Sequence, residues 1–266
     1  MALFNVESDA AKQREVIVQE RLRAAIVRSA TPLLLKEITN TGKSIAESYS
    51  NIGSLNSIGL ILVEHNKNIR EILNRIYKIT IPRSSEYVVS ESEKAGLKFA
   101  EFKDVEGVAT RLMQDWLFTY GLQHAESITT TTKDIAAAIV ADGIAEGVGQ
   151  EYIGRSIFDK IGQRNSLTMA RSKLIARTES HMSSQNAIFN IAGSIDSNGT
   201  MFKEWVSANQ PDRTRKTHLK ANGTNIRREE YFKVGKASLL HPADQNSGHP
   251  EETINCRCVL VFSNTA

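Results

Sequence analysis

The chain holds two cysteines, Cys256 and Cys258, with one residue between them. On an extended strand, residues two apart project to the same face, so both thiols can approach one metal ion. Upstream, His218, His241 and His249 lie in polar stretches rich in Gly, Pro and Asn. A tetrahedral zinc site takes four nitrogen or sulfur donors, and these five residues offer two thiols and three imidazoles. The expectation is a structural Zn2+ held by Cys256, Cys258 and some of His218, His241 and His249. Two alternatives stay open. The thiols can remain reduced, with one packed in the core. They can also form a Cys256–Cys258 disulfide, ranked last because so short a ring strains the bridge.

Charge supplies a second kind of chemistry. The net charge of +3 is too small to indicate nucleic-acid binding by itself. Between Gln210 and Lys236, however, eight basic residues stand against three acidic ones. Arg213, Arg215, Lys216, Lys220, Arg227 and Arg228 are therefore the expected contacts to DNA phosphate or to an acidic partner. The simpler reading of the same residues is a solvated basic loop. The three histidines with Glu251, Glu252 and nearby arginines also contain the groups of a metal-dependent nuclease or an acid–base pair. No glycine-rich phosphate loop, nucleophile elbow or His-Glu-x-x-His motif accompanies them. The chain is expected not to be an enzyme, with no catalytic or cofactor-binding residues.

The elements that must position these groups are mostly helices. Apolar residues recur at helical spacing from Val16 to Ile45, from Ile58 to Ile76 and from Leu97 to Tyr120. Thr31-Pro32 is expected to start a new helix or kink a longer one. Ile81-Pro82 is expected to end the second run, because the residue before proline is pushed out of the α region. The threonine run Thr129–Thr132 suggests a boundary, since threonine favours caps and turns. An Ala/Ile-rich helix then runs to about Ala145, and Gly147-Val148-Gly149 separates it from a short helix. Ser166 is expected to cap a longer helix that stops at Gly193.

After Gly193 the texture changes. Met201–Val206 and Val259–Phe262 read as strands, Asn222-Gly223 as a turn, and much of the rest as irregular backbone. A small loop-rich unit without a large apolar core often needs a staple, which is what a metal at Cys256 and Cys258 would supply. The expected fold is mainly α, with a small C-terminal α+β module. Residues 1–129 form a helical arm or bundle. Residues 130–266 divide into a helical lead-in, 130–193, and the α+β module, 194–266. No apolar run approaches the ~20 residues needed to span a bilayer, so no membrane partner is expected. Met1–Glu7 lacks the basic and apolar regions of a secretory signal, and a cytoplasmic setting is expected.

From about Ser166 to Phe262 the chain resembles the phage Mu protein F-like head-morphogenesis family, found in minor capsid proteins of tailed bacteriophages. The landmarks occur in order: Ile175-Ala176-Arg177-Thr178-Glu179, Lys203-Glu204-Trp205, Asp212-Arg213-Thr214-Arg215-Lys216-Thr217-His218, Gly223, Phe232, Gly235, Leu240, Pro242-Ala243-Asp244, and Glu251 through Cys258. No single one is specific; their order over about a hundred residues carries the resemblance. It does not cover the first ~130 residues. The resemblance implies a low-copy component of the phage head interior or portal vertex, present in host cytoplasm during assembly. Its implied partners are the portal protein, the major capsid protein or both, with nonspecific DNA contact and a role in assembly and in packaging or ejection. It also implies a partly buried network in which Arg177 or Glu179 bonds the loop bearing Asp212 and Arg215. The chain ends eight residues after Cys258, so no toxin or nuclease domain is expected to follow.

Overall fold

The computed structural model describes residues 8–96, 105–196, 199–208, 210 and 213–263. The described chain is mainly helical, with a few short antiparallel strands near its C-terminal end, as expected. Helices α1 (Asp9–Ile52), α2 (Gly59–Lys94), α3 (Val105–Asp115), α4 (Gly121–Ala145), α5 (Gln150–Ile157) and α6 (Ser166–Ile195) come first. Then follow β1 (Phe202–Val206), α7 (Lys216–Ala221), β2 (Asn225–Arg227), β3 (Phe232–Val234), β4 (Ala237–Leu239), α8 (Pro250–Thr253) and β5 (Val259–Ser263).

Several predicted breaks are absent. Pro82 lies inside α2, and Pro32 lies inside α1, which the second of its two expected placements allowed. A proline removes one helical hydrogen bond, but buried residues continue on both sides. Tyr77 and Ile81 precede Pro82, and Ser84, Ser85 and Val88 follow it, all enclosed. Packing along the stripe outweighs the missing bond. The threonine run lies within α4, where its hydroxyls bond back to the helix. Thr129, Thr131 and Thr132 donate to the carbonyls of Ala125, Ser127 and Ile128 at 2.8, 2.9 and 3.0 Å. Asn165, rather than Ser166, caps α6: its Oδ1 accepts from the backbone N–H groups of Leu167 and Thr168 at 2.9 and 3.0 Å. α6 also continues past Gly193 to Ile195. Gly193 makes room for Arg228, whose Nη1 would lie 2.5 Å from a Cβ at that position.

The chain forms two compact units. One gathers Met1–Ile26, Tyr77–Gln114 and Arg177–Ala266; the other gathers Val27–Ile76 and Asp115–Ala176. Neither is one continuous stretch, because α1, α2 and α6 each contribute residues to both.

The second unit has an aliphatic core that includes Ile45, Ile58, Val140, Ile153 and Ile157. Its helices approach closely at small residues. A Cβ on Gly42 would sit 2.3 Å from the Ile161 carbonyl oxygen, and one on Gly154 would meet the Ser50 hydroxyl at 1.9 Å. One polar knot is buried here. His65 sets Nδ1 against Glu37 at 2.9 Å and Thr41 at 3.0 Å, and Nε2 against Thr132 at 3.2 Å. Burial raises the Glu37 pKa, but hydrogen bonds from His65 and Thr41 outweigh it and hold the carboxyl below its ordinary range.

The first unit is organised around α6. Every residue from Thr178 to Phe189 is buried, although Glu179, Ser180, His181, Ser183, Ser184, Gln185 and Asn186 are polar. Most of them meet partners. Tyr77 donates to Glu179 at 2.6 Å, and Ser84 and Ser184 share a bond of 2.8 Å. Gln185 donates to Gln19 at 2.7 Å, Gln19 donates to the Leu260 carbonyl at 3.1 Å, and the Leu260 N–H donates to Gln185 at 3.1 Å. The strand order is β2-β1-β5, with Trp205 opposite Leu260, and a separate β3-β4 hairpin follows. Trp205 turns its backbone toward the β2 side, bonding Thr224 and Gly223. Leu260 turns its own outward, where the two glutamines satisfy both groups.

Substituting Gly42→Ala forces a methyl against the Ile161 carbonyl. The expected cost is about 1–3 kcal/mol, read as a lowered urea midpoint at unchanged m-value. A midpoint equal to that of the parent protein would show that the close approach is not required.

Candidate metal centre

The C-terminal turn is built to present Cys256 and Cys258. Asn255 has a left-handed backbone (φ 58°), a conformation Asn tolerates better than most residues. Its N–H donates to Thr178 Oγ1 at 3.1 Å, and its Oδ1 accepts from Arg177 Nη1 at 2.9 Å. Arg215 Nη2 donates to the preceding carbonyl, that of Ile254, at 2.6 Å. Arg177 thus fixes the turn that carries the cysteines, whereas the resemblance implied the loop of Asp212. Glu179 instead accepts from Tyr77. Asp212 lies outside the described residues.

Helix α7 brings His218 to this turn. His218 Nδ1 lies 3.3 Å from Cys258 Sγ and 3.7 Å from Cys256 Sγ. The three ligand atoms all fall within 4.8 Å of one another, and the residues are no more than 2% exposed. Ligands at zinc bond lengths of 2.0–2.3 Å in a tetrahedron stand roughly 3.3–3.8 Å apart, so these spacings suit one ion. Both thiols are free, and the disulfide alternative is not present. Burial raises the Cys256 thiol well above its ordinary pKa, while hydrogen bonds from Cys256 and His218 hold Cys258 well below its own. The pair is thus set up to share one proton.

The second nitrogen of His218 is also fixed. Nε2 lies 3.0 Å from Glu252 Oε2, which also accepts from Thr217 Oγ1 at 2.9 Å. A carboxylate on the far nitrogen of a metal-binding histidine sets its tautomer and raises its basicity. Gly235, in a left-handed conformation, makes space for this carboxylate: a Cβ there would lie 2.3 Å from Glu252 Oε1. Trp205 packs its ring edge-to-face against His218, with centroids 5.4 Å apart.

The other two expected ligands lie elsewhere. His241 is buried against Phe189 and places Nδ1 3.0 Å from the Pro242 carbonyl. His249 bonds Glu251 at 2.8 Å in a more open position. Sequence reasoning missed His181 and Arg23. His181 is buried, and burial drives its pKa well below the ordinary value despite a hydrogen bond with the Cys258 backbone. It lies near enough to Arg23, His218 and His241 to feel their charge. Nothing in its sequence setting separates it from a solvated helical histidine. The group of ligand atoms close enough to share an ion comprises His218, Cys256 and Cys258 and does not include His181.

The basic residues divide into two sets. Arg213 and Arg215 line a cavity of about 400 Å³ beside the cluster, together with Arg177 and Arg257. Lys216 and Lys220 are exposed on α7. Arg227 stacks on Phe202 of β1 at 5.2 Å, and Arg228 stacks on Phe189 of α6 at 5.0 Å.

Another cation is enclosed nearby. Lys203 is fully buried on β1, between the rings of Phe189 and Phe232 at 4.9 and 5.0 Å, and donates to the Leu240 carbonyl at 2.7 Å. Burial, aided by Arg228, pushes its pKa down to about 7. As pH falls from about 10.5, the unfolded chain takes up this proton first, so Lys203 makes stability fall until about pH 7 and then level off. Between pH 7.5 and 9.5 the parent protein should therefore gain stability with rising pH, by up to about 1 kcal/mol per unit relative to Lys203→Met. Parallel urea curves for the two proteins would contradict this assignment.

Residues 133–261 match the family described as Phage Mu protein F like protein. That segment contains His218, Cys256, Cys258 and all four arginines of the cavity. The minor head protein GP7 of Bacillus phage SPP1 is 31% identical over 132 residues, covering 47% of this chain and 39% of that relative. The matched region thus spans well under half of the relative's length. No solved structure matches the chain. Residues 133–261 of this chain are thus similar to the phage Mu protein F-like family.

Proposed function

We propose that the chain is a minor structural protein of a tailed-phage head, acting in head and portal assembly from the virion interior. The similarity of residues 133–261 to the Mu protein F-like family, and of 132 residues to a minor head protein, carries this reading. The geometry adds support, because the most chemically capable residues are sunk in the module's core and hold loops together. Among the described residues no helix is long and apolar enough to cross a membrane. Residues 1–129 are proposed to dock portal or major capsid subunits, through helix faces that keep Leu60 and Val63 exposed. The expected result is co-purification with the portal protein from infected-cell lysate, and retention in purified particles at low copy. Particles free of the chain would exclude a virion component.

The second part of the proposal concerns the staple. Cys256, Cys258 and His218 are the residues that would hold a structural Zn2+, with Glu252 orienting His218. When bound, the ion supplies a cross-link between α7 and the turn before β5, and no reaction is assigned to it. Elemental analysis of purified protein should find about one zinc per chain, lost in Cys256→Ser with a lowered melting temperature. Less than about a tenth of an equivalent, with no change in melting after chelation, would leave the thiols as packing groups only.

A further inference from the structure

The cavity beside the cysteines contains a concentration of charge that the staple does not use. Arg177, Arg213, Arg215 and Arg257 line one space of about 400 Å³, at the small end of ligand sites. No carboxylate is among its described lining residues. Three of the guanidiniums are held by neutral acceptors: Arg177 by Asn255 at 2.9 Å, Arg215 by the Ile254 carbonyl at 2.6 Å, and Arg257 by Gln210 at 3.1 Å. Each of these bonds uses one of five N–H donors, leaving others available. The amides of Asn255 and Gln210 spend their oxygens on arginine, so their nitrogens remain as donors. Burial lowers the Arg177 pKa, and the charges of Arg257 and Arg213 lower it further. The fold thus keeps like charges together at a cost that an anion would relieve.

We propose that this cavity is a binding site for a single phosphate group. Converging planar forks suit the several oxygens of a phosphate better than the two of a carboxylate. The volume accommodates a phosphate with an attached sugar. His218, Cys256 and Cys258 also line this cavity, but none of the arginine contacts needs an ion there. Free phosphate, a nucleic-acid 5′-phosphate and an internal phosphodiester share the recognised chemistry, and the source is a matter for experiment.

The test uses the full chain and its Arg213→Gln/Arg257→Gln double variant, with Lys216→Gln/Lys220→Gln as a control of equal charge change outside the cavity lining. Binding of inorganic phosphate is read by titration calorimetry or 31P line broadening. The parent and the control should bind alike, and the cavity variant at least about tenfold more weakly. Short single-stranded oligonucleotides with a 5′-phosphate or a 5′-hydroxyl then separate the sources. Preference for the phosphorylated end, lost in the cavity variant, assigns a terminal phosphate. Equal binding of both that still depends on the cavity assigns an internal one. Phosphate binding with no cavity-dependent oligonucleotide binding assigns the free anion. No phosphate binding by the parent, or equal weakening in the cavity variant and the control, would overturn the site. Circular dichroism and zinc content of the cavity variant should match the parent; if either changes, the milder Arg213→Lys and Arg257→Lys variants must reproduce the graded loss for the site to stand.

Discussion

A helix enclosed on every side has no water to satisfy its polar side chains, and the second half of α6 is such a helix. Each hydroxyl, amide or carboxylate between Thr178 and Asn186 must find a protein partner or be left at a cost of about 1–3 kcal/mol. Those partners order the surrounding unit. Tyr77 and Ser84 tie in α2, Gln19 ties in α1, and Leu260 ties in β5. At the start of this stretch, Arg177 and Thr178 grip Asn255 and so set the turn that presents the two thiols. The metal centre and the sheet therefore share one foundation. Disturbing α6 would be felt at both, since partly satisfied buried polar networks are worse than none.

Beside this foundation, the cluster shows how little regular structure a site needs when its backbone is fixed by side chains. Helix α7 has six residues and α8 has four. Arginines, a left-handed Asn and a threonine hydroxyl hold the loops that join them to β5. Lys203 does similar work beneath, crossing between two aromatic rings to reach the Leu240 carbonyl. An uncompensated ammonium there would be expensive, which is why its proton is held so loosely.

What the sequence made legible follows local physics. Helical periodicity located most of the helices, and β-rich runs located β1 and β5. The close pairing of Cys256 with Cys258 pointed to the centre. Errors arose where distant contacts overrode local preference. Pro82 sits inside a helix because the buried stripe continues past it. Thr129–Thr132 stays helical, with the hydroxyls of Thr129, Thr131 and Thr132 accommodated by carbonyls one turn back. His218, His241 and His249 look alike in sequence, and only the path of α7 sets His218 against the thiols. Glu252 could be named as an acid but not as the partner of His218, since Gly235 and Thr217 create its pocket from distant parts of the chain. His181 carried no local signal, because its burial depends on everything packed around α6.

The glutamine pair at Leu260 has a bearing on how this protein can assemble. A sheet edge with free N–H and C=O groups invites another strand to add to it. On the β5 side, Gln19 and Gln185 occupy those groups at Leu260 with neutral amides, so a neighbouring chain finds no backbone template at that point. Closure by amides, unlike closure by lysine or glutamate, is indifferent to ionic strength and pH.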